Sequence, residues 1–98
     1  MLKVKTGVTP KNLVIAAAVA NTAEILGLVL TITSGTDGKH MRGSKHYSGE
    51  ALDIRTRGLT KSNVTRVLGT LSARLGREYD VVLEKDHIHI EYVPAVRA

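Results

Sequence analysis

The period of the apolar positions changes along this chain, and each change marks an element. In "TPKNLVIAAAVANTAEILG" the apolar residues Ile15, Val19 and Leu26 recur at helical spacing, past the polar Asn21, Thr22 and Glu24. Thr9 followed by Pro10 predicts an N-cap and a first helical turn. "LVLTIT" (residues 28–33) then alternates, with Leu28, Leu30 and Ile32 on one face of a predicted strand. "SGTDGKHMRGSKHYSGE" is almost devoid of apolar residues and rich in Gly and Ser, so a loop is expected. "ALDIRTR" (residues 51–57) is a second short strand. "LTKSNVTRVLGTLSARLG" reads as the clearest helix, with Thr60 as N-cap, Val64, Val67, Leu68, Leu71 and Leu75 as its stripe, and Gly76 as its stop. "YDVVLE" and "HIHIEY" follow as strands joined by a tight connection around Lys85 and Asp86. There is no internal repeat and no linker. This order predicts a single α+β domain over residues 1–98, with two helices packed on a small, mainly antiparallel sheet.

Composition narrows the function classes. With 43% apolar and 23% charged residues, the 98-residue chain reads as globular. Its core is thin enough for a bound metal to matter to stability. Cys, Phe and Trp are absent, which excludes a disulfide or a thiolate metal site. The net charge of +5 suits an anionic partner such as nucleic acid, a phosphate-rich polymer or an acidic cell wall. The basic residues are scattered, however, and only three tyrosines could stack on bases, so nucleic-acid binding is not expected. The first twenty residues mimic a signal peptide, with lysines, an apolar run and Ala-Val-Ala, but the amphipathic helix accounts for them better. The same polar residues in that helix exclude a membrane span.

The chemistry concentrates in two stretches, "HYSGEALD" and "DHIHIEY". Strand alternation sends His87, His89 and Glu91 to one face and Ile88 and Ile90 to the other. It also places Ala51 and Asp53 opposite Leu52 and Ile54. Two histidines and an aspartate brought together by neighbouring strands would make the three-ligand set of a catalytic zinc site, with the fourth position left for water. Asp86 and Glu84 are the candidate bases for that water. A solvent-facing His-x-His strand with a locally bonded Asp is the plain alternative. Serine catalysis fits worse, because no nucleophile-elbow pattern surrounds Ser44 or Ser48.

"SKHYSGEALD" resembles the Ser-x-His-x-x-Gly-x-Ala-x-Asp motif of the zinc D-alanyl-D-alanine carboxypeptidase family, through Ser44, His46, Gly49, Ala51 and Asp53. That family includes D-Ala-D-Ala dipeptidases and phage L-alanyl-D-glutamate endopeptidases, and is related in fold to the hedgehog signalling domain. "DHIHIEY" is similar to its closing motif, an acid three residues before the last zinc-binding histidine. The resemblance, which spans residues 28–92, implies a hedgehog-like fold and Zn2+ held by His46, Asp53 and His89. It implies Asp86 as the general base and His87 as the group that polarises the substrate carbonyl or stabilises the oxyanion. Gly49 would permit the turn between ligands and Ala51 would leave room beside Asp53. Ser44 is expected to contact substrate, and His40 resembles an extra histidine of the hedgehog version.

One departure bears on substrate choice. The family carries an arginine soon after the first strand's "SG" to hold a substrate carboxylate or backbone, whereas this chain reads "SGTDGKH", so either Lys39 or Arg42 substitutes there or that contact is missing. The expectation is a zinc peptidase of peptidoglycan stem peptides, endolysin-like, acting as a monomer on the bacterial cell wall after release or export from the cytoplasm. The alternative is a non-catalytic, zinc-stabilised hedgehog-like binding module. The pair Asp86 and His87 favours the enzyme, because a structural site prefers a fourth protein ligand and needs no base.

Overall fold

A computed structural model describes residues 1–5, 9, 12–34 and 50–94. The elements are β1 (Leu2–Val4), α1 (Leu13–Leu26), β2 (Leu30–Ser34), β3 (Ala51–Arg55), α2 (Lys61–Leu75), β4 (Tyr79–Leu83) and β5 (His87–Tyr92). They form a small α+β domain whose sheet has the strand order β1-β2-β3-β5-β4. β1 runs parallel to β2, and every other pairing is antiparallel.

The α2 reading holds at both ends. Thr60 caps it by accepting a hydrogen bond from the Asn63 N–H at 3.1 Å, and Gly76 closes it with a positive φ of 82°. Val67 and Leu71 from the predicted stripe are fully buried. α1 ends at Gly27, whose φ of 66° allows its N–H to bond Glu24 O while Leu28 N–H bonds Ala23 O. That double closure ties up carbonyls the last turn would otherwise leave open.

The start of α1 differs from the expectation. The helix begins at Leu13 with Asn12 in the cap position, not at Thr9, and Pro10 lies outside the described residues. Thr9 and Asn12 instead bond one another: Thr9 N–H donates to Asn12 Oδ1 at 2.8 Å, and Asn12 N–H donates to Thr9 Oγ1 at 3.3 Å. Asn12 Nδ2 then donates to Ala51 O at 3.4 Å. A fully buried amide has to find such partners, and Asn12 finds them in the approach to α1 and at the start of β3.

β1 was not anticipated. Its Leu2 and Val4 pair in register with Leu30 and Ile32, and Leu2 packs against the core while Val4 stays exposed at the sheet edge. A parallel neighbour needs a crossover of a dozen or more residues, and α1 is that crossover. The strand is too short for alternation to reveal it.

The sheet has one apolar and one polar face. Leu30, Ile32, Leu52, Ile54, Ile88 and Ile90 are fully buried against Ile15, Val19 and Ala23 of α1 and Val67 and Leu71 of α2. Both helices therefore cover the same face. Strand alternation leaves the opposite face to Asp53, Arg55, His87, His89 and Glu91. Among the described residues, no helix is long and apolar enough to cross a membrane.

Candidate functional site

The β3–β5 pairing sets the site. Its register places Asp53 opposite His89, Arg55 opposite His87 and Ala51 opposite Glu91. Directly opposed residues on one face are close enough for their side chains to meet. On the other flank of β3 the register slips, with Ile32 opposite Ile54 but Ser34 opposite Asp53. This bulge puts an extra residue of β2 beside Asp53, a device that bends a strand where it presents a side chain.

His89 lies between two carboxylates. Its Nδ1 is 3.0 Å from Asp53 Oδ1, and its Nε2 is 2.7 Å from Glu91 Oε1. An ionised carboxylate only accepts, so both ring nitrogens donate and the metal-free imidazole is held as imidazolium. The hydrogen bond to Asp53 is the main cause, with Glu91 adding to it against the opposing effect of burial, and the His89 pKa is pushed up to about 9. All three side chains are mostly shielded from solvent.

His87 lies nearer the mouth. Its Nδ1 donates to Asp86 Oδ1 at 2.7 Å, and its Nε2 is 3.9 Å from Asp53 Oδ1. Asp86 itself is 85% exposed, and the bond from His87 holds its carboxyl below the ordinary range. It is therefore ionised at neutral pH, with a second oxygen beyond the one His87 uses. Glu84 takes no part in this contact. Its backbone N–H donates to His87 O at 2.8 Å and closes the β4–β5 turn.

Of the expected ligands, Asp53 and His89 are brought into contact. His46, together with Ser44, Arg42, His40, Lys39 and Gly49, lies outside the described residues. Among the described residues, no group of three or more His, Asp or Glu side chains is arranged to hold a metal ion. The Asp53–His89 pair nevertheless fits a shared zinc, since tetrahedral ligands at about 2.0–2.1 Å from the metal have donor atoms roughly 3.3 Å apart. A metal would replace the proton between them, while Glu91 would go on holding the far ring nitrogen, as outer carboxylates do for metal-bound histidines.

A cleft of about 340 Å³ opens beside this pair, lined among the described residues by Thr33, Asp53, Arg55, Arg57, Asp86 and His87. Glu91, Arg55 and Arg57 acquired no role from the sequence reading. The alternation that assigned His89 to the polar face carried a signal for Glu91 and Arg55, since both share that parity. Arg57 lies beyond the end of β3, where alternation no longer applies. No protein-family model, curated protein or solved structure matches this chain.

Proposed function

We propose that this chain is a zinc-dependent peptidase that hydrolyses peptidoglycan stem peptides, of the D-Ala-D-Ala carboxypeptidase or L-Ala-D-Glu endopeptidase type, on a hedgehog-like fold. The observation that carries this reading is the cross-strand contact of Asp53 with His89, with Asp53 and the Asp86–His87 pair lining one cleft. His46, Asp53 and His89 would hold the metal, with Glu91 fixing the His89 ring. When bound, zinc lowers the pKa of a coordinated water to about 7 and so supplies hydroxide at neutral pH.

The side chains then have distinct tasks. The second oxygen of Asp86 accepts a proton from the attacking water and later delivers it to the departing amine nitrogen as the C–N bond breaks. In its protonated form His87, braced by Asp86 at Nδ1, would offer Nε2–H to the scissile carbonyl oxygen as negative charge grows there. The products are a new carboxylate and a free amine. Incubating the purified protein with peptidoglycan, with and without chelator, and identifying released fragments by mass spectrometry tests the proposal. Chelator-sensitive release of stem-peptide fragments is expected. Zinc binding without any release would leave the non-catalytic binding module as the function.

A further inference from the structure

We propose that Arg55 and Arg57 form a carboxylate-binding wall of the cleft, selecting peptides whose residue on the departing side of the scissile bond carries a free carboxylate. The inference rests on the peptidase reading and adds a specificity site to it.

Charge accounting within the cleft points to an anion. Its two acids are already engaged, Asp53 by His89 and Asp86 by His87. Its two arginines are not: among the described residues neither Arg55 nor Arg57 has an ion pair or a side-chain hydrogen bond. Arg55 is half-buried, and a guanidinium stays charged throughout the physiological range. A partly desolvated cation in a concave wall is costly unless an anion arrives. The planar fork of arginine matches a carboxylate with two parallel hydrogen bonds, so a carboxylate is the anion of choice in a peptide substrate.

Position assigns the anion to one end of the substrate. Arg55 stands opposite His87 and two residues beyond Asp53 on the same strand face, about 6.6–6.8 Å along the sheet. Arg57, in the turn just past the end of β3, lines the same cleft. A peptide with its scissile carbonyl at His87 would meet the arginines with an adjoining residue. Both candidate bonds satisfy this chemistry. Cleavage of D-Ala-D-Ala releases a D-Ala bearing its α-carboxylate, and cleavage at L-Ala releases a γ-linked D-Glu whose α-carboxylate is free. Amidation of that carboxylate removes the charge.

The test uses three pentapeptides: L-Ala-γ-D-Glu-L-Lys-D-Ala-D-Ala, its C-terminal carboxamide, and its D-isoglutamine form. Binding is measured by calorimetry on the zinc-loaded Asp86→Asn protein, in which turnover is suppressed, with and without Arg55→Gln or Arg57→Gln. Circular dichroism checks folding, and Arg55→Lys provides a variant that keeps the charge but loses the fork. One of the two amides should bind about tenfold to a hundredfold more weakly than the parent, the range for a hydrogen bond to a charged group. The amide that suffers identifies the bond. The Gln variants should lose that discrimination, and Arg55→Lys should retain part of it. Equal binding of all three peptides, discrimination that survives in both Gln variants, or no binding of any peptide would overturn the proposal. Discrimination without cleavage by the wild-type protein would sink the peptidase reading and leave the arginine wall standing.

Discussion

Asp86 and Glu84 flank the same tight turn, yet only Asp86 borders the cleft and touches His87. Glu84 contributes a backbone N–H to the turn instead. Asp86→Asn should therefore leave zinc content unchanged and cut hydrolysis by at least ~10², the scale of general-base removal, while Glu84→Gln should be near wild type. Metal analysis and fragment release on one peptidoglycan preparation decide between them, and the reverse pattern would move the base to Glu84. His87→Ala should likewise keep zinc and lose about 10²–10³ in turnover, as removal of an oxyanion donor does. Loss of metal from that variant would make His87 a ligand. Glu91 acts one step further out. Its bond to His89 Nε2 fixes the ring that faces Asp53, so Glu91→Gln should weaken zinc affinity about 10–100-fold in competition with a chromogenic chelator. Unchanged affinity would reduce Glu91 to a surface acid.

At the level of elements, helix α2 and strand β5 follow from local signals alone: a cap, an apolar stripe, a terminal glycine and, in β5, strict alternation. The approach to α1 does not. Asn12 joins the helix start to β3 through Ala51 O, across a wide separation in sequence, and this contact steadies the strand that presents Asp53. Asn12→Ala would strip the partner from Ala51 O and from the Thr9 N–H within or near the core. The expected loss is about 1–3 kcal/mol in denaturant unfolding, the cost of leaving buried polar groups unpaired. Asn12→Asp tests the same contacts, since it keeps an acceptor for Thr9 N–H but has no amide to offer Ala51. At neutral pH the buried carboxylate facing the Ala51 carbonyl should make it at least as destabilising as the alanine.

For the molecule as a whole, the proposed zinc site would make metal and proton compete for His89. In the metal-free protein the folded His89 has a pKa of about 9, above its ordinary 6.5. Protonation of His89 therefore adds stability in full below pH 6.5, and that contribution is lost as pH rises through about 9. Thermal unfolding of chelator-treated protein should show Tm falling over this window, and His89→Gln should flatten that part of the fall. With zinc bound the dependence should reverse, because a ligand histidine must be neutral and rising pH favours metal. Saturating zinc should thus raise Tm more at pH 8 than at pH 6. A zinc-induced shift that is the same at both values would contradict His89 as a ligand.

Local pattern determined most of what this chain shows. Periodicity separates helices from strands, and parity along β3 and β5 alone assigns Asp53, His87 and His89 to the face away from the isoleucine core. Those signals sit within a few residues of one another, so they survive in one dimension. Tertiary structure decided the rest. Whether Asp53 meets His89 or His87 depends on register between strands far apart in sequence, and a two-residue slip would exchange them. β1 owes its existence to the edge that β2 offers, and Asn12 its role to β3. The convergence of Arg55 and Arg57 with Asp86 and His87 depends on how the end of β3 lies against the β4–β5 turn. Each of these rests on long-range packing, where the partner of a residue is chosen by the fold rather than by its neighbours in the chain.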